Sequence, residues 1–373
     1  MSLIKKFFNP KYTKVLAIET SCDDTSLSIV EYKDWSFQVL RLHSFSQIEL
    51  HQKYGGVMPE IAYRSHAEKI ITMLDPYMTL LQDSIDAIVV TATPGLPGSL
   101  IVGITTAYLL WNIWKKPVIE THHILGHVFS ILCDRSLDIL QFPYLCLTAS
   151  GGHNDLYLVE QKDSESLQAS MIWDPQWWSH NPSVLQKRGH LELHLPMDFW
   201  PFMITKLAQT CDDASGECFD KVARMLGGPY PWWKRISDLA SHGNYDPTMQ
   251  FHAGSIAKQP LMFSYSWLKS QIAQYIKQSE QSWIEIDDDE KAAIAYNFQE
   301  TICSDLCKKL DVATQLFSIV SLWVCGWVSA NKRLQQMLVE KFWEKKLYFP
   351  LTWEYCTDNA AMIGVAGLIQ SHH

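Results

Sequence analysis

The chain has 373 residues, of which 47% are hydrophobic and 19% charged, a balance typical of a globular protein and not of a disordered one. This length exceeds one typical domain and fits two. The formal net charge of −9 predicts an electrostatic field that repels nucleic acid, so an RNA partner would have to meet a local basic patch or a partner's surface.

The sequence predicts neither a membrane span nor a secretion signal. No apolar run reaches the roughly 18 residues that cross a bilayer. Residues 1–13 read as a basic N-terminal extension without the apolar core of a signal peptide. The 9 cysteines are scattered without a CxxC pair, which argues against a zinc finger or a disulfide framework. We therefore expect a cytoplasmic protein that does not associate with membranes.

The first part of the chain predicts alternating strands and turns. Residues 14–32 read as two short strands around a polar turn, and residues 85–91 as a buried strand. A Pro/Gly loop at 93–98 then leads into an apolar helix. The strand PVIE begins a second, similar series near Pro117, which continues with YLCLTASGGHNDLYLVE as strand, glycine turn and strand.

The later part of the chain is predicted to be mainly helical. Residues 161–210 show no clear period and are interpreted as an insertion. Helical spacing of apolar residues returns at 212–226 and again at 290–311, and a strand and turn precede a helix that begins at Lys332. Asp358 is predicted to be the N-cap of the last helix.

The segment HHILGH contains His123 and His127, which are four residues apart. On a helix this spacing places both imidazoles on one face, as two ligands of a metal ion require. Asp358 could add a carboxylate and complete a His/His/Asp site with open positions. Two ordinary surface histidines remain the alternative interpretation of the pair alone.

A zinc-protease interpretation of the same segment is disfavoured. In the HExxH motif a glutamate directly follows the first histidine and acts as the general base. Ile124 occupies that position here. The segment therefore lacks the base that metal-assisted peptide hydrolysis needs.

Small-residue turns recur after apolar strands: ETSCDDTS, TATPGLPGS, TASGGHND and CGWVSAN. One such turn is an ordinary hairpin. Four of them can offer backbone amides and hydroxyls to phosphate oxygens from several directions. The repetition therefore predicts a nucleotide cleft between two lobes.

In this order, the motifs of the chain resemble the tRNA N6-adenosine threonylcarbamoyltransferase family. The similarity runs from about Val15 to Gln370, apart from the insertion, and includes HQKYGGVMPEIAYRSHAEKI, ASGGHNDL, DDASGECFDKVARMLG, VSANKRL and YCTDNAAMIG. It implies an α/β, two-lobed fold of the actin, sugar-kinase and Hsp70 type. The implied division is an N-terminal lobe at 14–118, completed by a C-terminal helix at 359–373, and a C-terminal lobe at 119–358.

The resemblance assigns roles residue by residue. As metal ligands it implies His123, His127 and Asp358, holding one divalent ion per chain, with Fe²⁺ the first candidate and Zn²⁺ the second. As nucleotide-binding residues it implies Thr148, Ala149, Ser150, Gly151, Gly152, Asp220, Trp233 and Asn331. Asp23 and Asp24 match a catalytic acidic pair that is Asp then Glu in the family, so Asp24 is one methylene shorter than expected.

The implied reaction transfers the threonylcarbamoyl group from threonylcarbamoyl-AMP to N6 of the adenosine 3′ of the anticodon, in tRNAs that read codons starting with A. The implied partners are tRNA, an inactive paralogue and a small ATPase. The alternatives are a non-catalytic scaffold paralogue of the same complex, a metalloendopeptidase and a sugar kinase. A scaffold would lack the metal ligands, and a sugar kinase has no use for them.

By the same resemblance, glycines are expected where this chain has Trp232, Trp233, Trp267 and Trp327. The chain contains 17 glycines and 15 tryptophans, whereas ordinary usage would give about 26 glycines. We hypothesise that these four codons are UGA, which some bacterial lineages read as glycine. The chain as written would then have a partly blocked nucleotide cleft. The alternative is a true paralogue whose cleft is filled by tryptophan.

Overall fold

The computed structural model describes residues 8–78, 82–161, 186–188, 191–193, 197–199, 202–227, 232–257, 259–281 and 286–371. Within these ranges no helix is both long enough and apolar enough to span a bilayer.

The described elements alternate between strands and helices along the chain. The strands are β1 (Lys14–Glu19), β2 (Asp24–Lys33), β3 (Ser36–Ser46), β4 (Ala87–Thr93), β5 (Val118–His122), β6 (Tyr144–Ala149), β7 (Asn154–Gln161), β8 (Gln186–Arg188), β9 (Leu191–Leu193), β10 (Met197–Phe199), β11 (Phe202–Ala208), β12 (Ser321–Cys325) and β13 (Lys346–Tyr348). The α-helices are α1 (Ile48–Gln52), α2 (Pro59–Leu74), α3 (Pro97–Trp114), α4 (His123–Phe129), α5 (Ser215–Met225), α6 (Trp232–Ala240), α7 (Ser266–Gln281), α8 (Asp288–Leu316), α9 (Lys332–Lys341) and α10 (Ala360–Gln370).

Two sheets share one topology. The first has the order β3-β2-β1-β4-β5, in which β1 is antiparallel to β2 and parallel to β4. The second has the order β10-β11-β7-β6-β12-β13, in which β6 is antiparallel to β7 and parallel to β12. In each sheet an antiparallel meander is therefore followed by parallel strands on the other side of its first strand.

The strand β5 belongs to the first sheet, so the interpretation of PVIE as the start of the second series is wrong. It pairs in parallel with β4, and Ile88 lies opposite Val118. A short apolar run predicts a strand but carries no information about which sheet it joins. The second series begins instead at β6.

The side chains of β1 alternate between the two faces of the first sheet, and both faces are buried. Leu16 and Ile18 pack under α2 and α3 in one apolar cluster. Val15 and Ala17 face the opposite way, into a cluster that also receives the side chains of the second sheet and of α4 and α10. Because successive residues of a strand point to opposite faces, both sheets contribute to this shared central core. The helices α4 and α10 therefore lie between the sheets.

The other face of the second sheet is covered by helices. Leu145 and Leu147 of β6 and Val324 of β12 join a third cluster with the apolar faces of α5, α7, α8 and α9. The strongly amphipathic spacing of α5 buries Phe219 and Val222 there. Each of the three apolar clusters therefore includes a buried face of a sheet.

Replacing Gly367 by alanine should destabilise the fold, because α10 approaches β4 closely at this glycine. A Cβ on Gly367 would lie 2.3 Å from Cγ1 of Val89, a stiff side chain within the sheet. We expect Gly367→Ala to lower the free energy of unfolding by about 1–3 kcal/mol through overpacking, despite the higher helix propensity of alanine. Urea denaturation measures this. Gly56→Ala is the control, since a Cβ there meets nothing within 4 Å; equal stabilities of the two variants would contradict the prediction.

Candidate metal centre and nucleotide turn

The predicted histidine pair lies on one face of α4. This helix begins directly after β5, and His122 is its N-cap, whose Nδ1 accepts a hydrogen bond from the backbone N–H of Ile124 at 3.1 Å. The rings of His123 and His127 are perpendicular, with centroids 4.7 Å apart, and both side chains are buried. The alternative of two surface histidines is therefore excluded.

Asp358 reaches this pair from the other end of the sequence. Its Oδ1 lies 3.6 Å from Nε2 of His123 and 3.1 Å from Nε2 of His127. The three ligand atoms of the cluster all lie within 4.8 Å of one another. Two imidazole nitrogens and one carboxylate oxygen thus converge on one point, as a single metal ion requires.

Asp358 is not the N-cap of the last helix, contrary to the sequence prediction. The cap of α10 is Asn359, whose side-chain oxygen accepts from the backbone N–H of Met362 at 3.0 Å. Asn and Asp cap helices about equally well, and an Asp–Asn pair does not show which residue is used. Because Asn359 caps α10, the carboxylate of Asp358 faces the histidines.

A close contact between α4 and α10 brings the ligands together. A Cβ on Gly126, between the two histidines, would lie 2.8 Å from Cδ1 of Ile363 and 3.0 Å from Cγ of Met362. The turn before Asp358 is held as well: the Tyr355 hydroxyl donates to Oδ2 of Asp134 at 2.6 Å. Glycine at 126 therefore lets the helices approach at the level of the site.

The donor set fits a divalent metal ion. Nε2 of His127 is buried and makes no hydrogen bond with any described residue, although Oδ1 of Asp358 is close to it. A buried polar atom without a hydrogen bond is costly unless another partner satisfies it. Imidazole and carboxylate are common ligands of Fe²⁺ and Zn²⁺, so an ion could supply that partner.

The ionisable groups of the cluster stabilise each other's charges. Burial alone would raise the pKa of Asp358, but the charges of His123 and His127 hold it well below its usual range. Burial alone would lower the pKa of His123, but the carboxylates of Asp358 and Glu19 raise it to about 9. A metal ion at Nε2 of His123 therefore has to displace a proton, and its binding should weaken as the pH falls.

Glu19 is a site residue that the sequence did not single out. It ends β1 and is fully buried, and its Oε2 lies 3.2 Å from Nδ1 of His123. The backbone N–H of Ser21 and the hydroxyl of Thr91 donate to the same carboxylate, each at 2.5 Å. The only available signal was an acidic residue at the end of an otherwise apolar strand.

Asp23 and Asp24 lie in the turn that follows β1 and at the start of β2. Burial, and then the neighbouring carboxylate of Asp23, raise the pKa of Asp24 to about 8, and the charge of Asp358 adds to this effect. Burial likewise raises the pKa of Asp23, to which Asp358 contributes. Oδ1 of Asp24 is buried without a hydrogen bond to any described residue. The effect of Asp358 on both carboxyls shows that the acidic pair lies near the cluster of His123, His127 and Asp358.

The TASGG turn, residues 148–152, connects β6 to β7. Thr148, Ala149 and Ser150 are buried, and the backbone N–H of Ser150 donates to the carbonyl of His153 at 2.9 Å. A Cβ on Gly152 would meet nothing within 4 Å, so space is open beside this glycine. The N-terminus of α5 lies against the turn, since the N–H of Gly216 donates to the carbonyl of Ser150 at 3.2 Å.

The other residues predicted to bind the nucleotide lie in different surroundings. Asp220 is half-buried on α5, the helix that begins at the turn. Asn331 is the N-cap of α9, and its amide nitrogen donates to Oε1 of Gln299 at 2.8 Å and to Oγ of Ser237 at 3.2 Å. The side chain of Trp233 lies outside the described residues.

Trp327 lies against the glycine turn. Its ring reaches within 2.7 Å of the position of a Cβ on Gly216 and within 3.5 Å of one on Gly151. It is half-buried, with its ring centroid 6.3 Å from that of Phe219. Trp267, by contrast, is 60% exposed, and the side chain of Trp232 is not among those described.

A cavity of about 700 Å³ opens beside this tryptophan. Phe219, Trp327 and Asn331 line it together with residues of α6, α8 and α9, among them Arg333. Its size is that of a small-molecule site. Of the predicted nucleotide residues with described side chains, Asn331 contacts the cavity, whereas the glycine turn adjoins it through Trp327.

Comparison with known sequences gives a match over most of the chain. Residues 38–174 and 202–365 match the family profile of tRNA N6-adenosine threonylcarbamoyltransferase. The protein of that name from Bacillus cereus is 33% identical over 371 residues, which cover 98% of this chain and 93% of the relative. The one from Kosmotoga olearia is 34% identical over 357 residues, covering 94% and 92%.

Comparison with solved structures confirms the expected fold class. The structure of HypF from T. kodakarensis superimposes with a TM-score of 0.53 at 10% sequence identity. The superposition covers 98% of this chain but 48% of the HypF chain, so this chain spans about half the length of that protein. At this identity the similarity concerns the fold alone.

Replacement of a metal ligand should abolish metal binding. The wild-type protein is expected to hold about one divalent ion per chain. His123→Ala or Asp358→Ala removes one of three ligands and should lose most of that metal, measured by elemental analysis, while circular dichroism shows a folded chain. His43→Ala removes an exposed histidine and serves as the control. Wild-type metal content in either ligand variant would show that the assignment is wrong.

Asp24 should make the metal-free protein less stable as the pH rises. Its folded-state pKa of about 8 lies above the unfolded value of about 3.9, so the folded state binds the proton more tightly. The free energy of unfolding should fall between about pH 4 and pH 8, because over this range the carboxyl is ionised in the unfolded chain but still protonated in the folded one. Asp24→Asn cannot ionise and should be more stable than the wild type at pH 8, with the difference shrinking toward pH 4.

Urea denaturation in the presence of a chelator measures this dependence on pH. Asp83→Asn, at an exposed position, removes the same formal charge and serves as the control. A constant stability difference between Asp24→Asn and wild type across this pH range would contradict the prediction.

Proposed function

We propose that this chain, which belongs to the tRNA N6-adenosine threonylcarbamoyltransferase family, transfers the threonylcarbamoyl group from threonylcarbamoyl-AMP to N6 of the adenosine 3′ of the anticodon in tRNAs that read codons starting with A. One observation carries the proposal: His123, His127 and Asp358 converge in a chain that matches the family over nearly its whole length. The scaffold alternative predicts that such ligands are lost.

In the proposed reaction the lone pair of the adenosine N6 attacks the carbamoyl carbonyl carbon. The bond from this carbon to the phosphate oxygen breaks, and AMP leaves with the electron pair. The attacking nitrogen loses a proton, for which Asp23 and Asp24 are the proposed acceptors. A carboxyl with a pKa of about 8, as burial gives Asp24, is a stronger base than an ordinary carboxylate.

We propose one divalent ion per chain, with Fe²⁺ the first candidate and Zn²⁺ the second. Two histidines and one carboxylate with open positions form a ligand set that is common in non-haem iron sites. When bound, the ion would act as a Lewis acid on the carbamoyl carbonyl. His123, His127 and Asp358 would hold it, and Glu19 lies behind His123.

The nucleotide part of the substrate is proposed to bind at the TASGG turn (Thr148, Ala149, Ser150, Gly151 and Gly152), with contributions from Asp220, Trp233 and Asn331. Support comes from the open space at Gly152 and from the N-terminus of α5 beside the turn. Helix N-termini favour anions, and a phosphate group is one. The neighbouring cavity could accept the rest of the nucleotide.

We propose that the chain divides into an extension (1–13), an N-terminal lobe (14–118, completed by 359–373) and a C-terminal lobe (119–358, with an insertion at about 161–210). Two strands qualify these bounds: β5 pairs with β4 of the first sheet, and β11, at the end of the proposed insertion, pairs with β7 of the second sheet. We further propose that it acts in the cytoplasm. With a net charge of −9, its tRNA contacts are expected to depend on a local basic patch or on a partner.

The activity is tested by adding the protein to unmodified tRNA with threonylcarbamoyl-AMP synthase, threonine, bicarbonate and ATP. Threonylcarbamoyladenosine in the digested tRNA, measured by mass spectrometry, is the expected product. The paralogue and the small ATPase are supplied in a parallel reaction. His123→Ala should form none, and the proposal fails if the complete wild-type mixture forms no more product than this variant.

Trp327 should obstruct nucleotide binding in the chain as written. Trp327→Gly removes the ring that lies against Gly151 and Gly216 and should raise the affinity for AMP by about tenfold or more, corresponding to relief of at least about 1.4 kcal/mol. Calorimetric titration measures it. Trp267→Gly, at an exposed position, is the control. Unchanged AMP affinity in Trp327→Gly, or UGG codons at all four positions, would reject the UGA hypothesis.

We also propose an inactive paralogue and a small ATPase as protein partners. The helix α3 offers a surface for the paralogue: Ile101, Tyr108, Leu109 and Ile113 are all exposed. Helical spacing places Ile101 above Tyr108 and Leu109 above Ile113, on adjoining sides of the helix. Apolar patches of this kind mark sites of protein association. The opposite side of the helix packs on the first sheet through Ala107 and Leu110.

Charge placed on this surface should prevent the association. Leu109→Lys is expected to weaken binding of the paralogue by at least about tenfold, because a lysine would be desolvated at an apolar interface. Analytical ultracentrifugation of the two purified proteins measures it. Val339→Lys changes an equally exposed valine on α9 and should leave the association unchanged. Identical behaviour of the two variants would place the interface elsewhere.

A further inference from the structure

Glu19 is the most deeply buried acidic side chain near the metal cluster, and no step proposed above uses it. It has no exposed surface and lies at the end of β1 in the middle of the first sheet. An ionised carboxylate in such a place is strongly destabilising unless hydrogen bonds satisfy its oxygens. The contacts of Glu19 must therefore compensate for the loss of hydration of its carboxylate.

Those contacts connect three parts of the fold. The backbone N–H of Ser21 donates to Oε1, and the hydroxyl of Thr91, on β4, donates to Oε2. The third neighbour is Nδ1 of His123, 3.2 Å from Oε2. Because the first two contacts are donors, and because a carboxylate can only accept, the pattern is complete when His123 also donates.

If Nδ1 of His123 donates to Glu19, the lone pair of the neutral ring lies on the other nitrogen, which faces the ligand cluster. With a proton held on Nδ1, a neutral imidazole has its lone pair on Nε2, the atom that lies 3.6 Å from Oδ1 of Asp358. A protonated His123 also keeps its Nδ1 proton, so the hydrogen bond to Glu19 exists before and after a metal ion displaces the proton of Nε2.

One other group competes for Nδ1. The hydroxyl of Ser21 lies 3.1 Å from it, slightly closer than Glu19. A hydrogen bond to a charged acceptor is roughly twice as strong as one between neutral groups, so the carboxylate should prevail. Nδ1 of His127, by contrast, has no hydrogen-bond partner among the described residues. Of the two histidines, His123 is thus the one whose orientation the protein controls.

We infer that Glu19 is a positioning residue of the metal centre: it holds the Nδ1 proton of His123 and thereby aims Nε2 at the position of the ion. The inference rests on the proposed function to the extent that His123 is a metal ligand. Carboxylates behind ligating histidines typically strengthen metal binding by about 10–100-fold.

Glu19→Gln tests this with little change of shape. Its amide can accept from the N–H of Ser21, but its NH₂ would then face Nδ1 of His123 and favour the ring with a bare Nδ1 and a protonated Nε2. We expect Co²⁺ binding, followed by its visible absorption, to weaken by about 10–100-fold, with altered band positions. Ser21→Ala is the control and should change the affinity less than about threefold.

Two outcomes would overturn the inference. One is a Co²⁺ affinity and spectrum in Glu19→Gln equal to those of the wild type; the other is a larger loss in Ser21→Ala than in Glu19→Gln. Urea denaturation of both variants separates these effects from a general loss of stability, because a purely structural role would lower the stability and leave the Co²⁺ spectrum of the folded fraction unchanged.

A metal-free measurement keeps the inference testable if Glu19→Gln does not fold or if the wild type binds no metal. Proton–nitrogen NMR of ¹⁵N-histidine-labelled wild type, with His123→Ala to assign the signal and recorded at a pH at which the ring is neutral and holds one proton, reports whether Nδ1 of His123 carries that proton. A protonated Nδ1 is expected. A bare Nδ1 would overturn the role of Glu19, whereas a protonated Nδ1 without metal binding would count against the proposed metal site alone.

Discussion

The packing of α4 against α10 between the two sheets is the contact on which the rest of the site depends. Both helices are buried in the central core, and both begin at the same end of it. Gly126 permits their close approach one turn into α4. A larger residue there would separate His123 and His127 from Asp358, which immediately precedes the cap of α10. Core packing and ligand geometry are thus one constraint.

Burying charge at this point is costly, and the arrangement of alternating charges offsets the cost. Glu19, His123 and Asp358 follow one another as carboxylate, imidazole and carboxylate. Each carboxylate raises the pKa of His123, and the His123 charge lowers both of theirs. At Asp24, burial and the neighbouring carboxylate of Asp23 outweigh the hydrogen bond with Ser46, and the pKa rises instead. The same low-polarity surroundings therefore produce ionised ligands and a weakly acidic carboxyl a few residues away.

The sequence predicts local features of this site better than distant ones. The spacing of His123 and His127 and the start of α9 at Lys332 follow from helical periodicity, and both are confirmed. The convergence of Asp358 on the histidines was an expectation from its place at the start of the last helix and from the resemblance, because no local pattern encodes a contact across more than 200 residues. Glu19 was missed since an acidic residue at a strand end is ordinary, and its meaning depends on Thr91 and His123 arriving from other elements.

The shared topology of the two sheets explains why the acidic pair and the nucleotide turn occupy corresponding places. β1 and β6 are each the strand around which a sheet is built, antiparallel to the next strand and parallel to a later one. The turn after β1 carries Asp23, and the turn after β6 carries Gly151 and Gly152. Gly326, with a φ of 81°, then allows the end of β12 to pass the carbonyl of Ala149, where any Cβ would lie 2.3 Å away. Glycine is required at 326 by this backbone, whereas at 327 the ring of tryptophan extends over the turn into space that no backbone needs. The fold therefore accommodates Trp327. The ring instead occupies space beside the turn, where the nucleotide is proposed to bind.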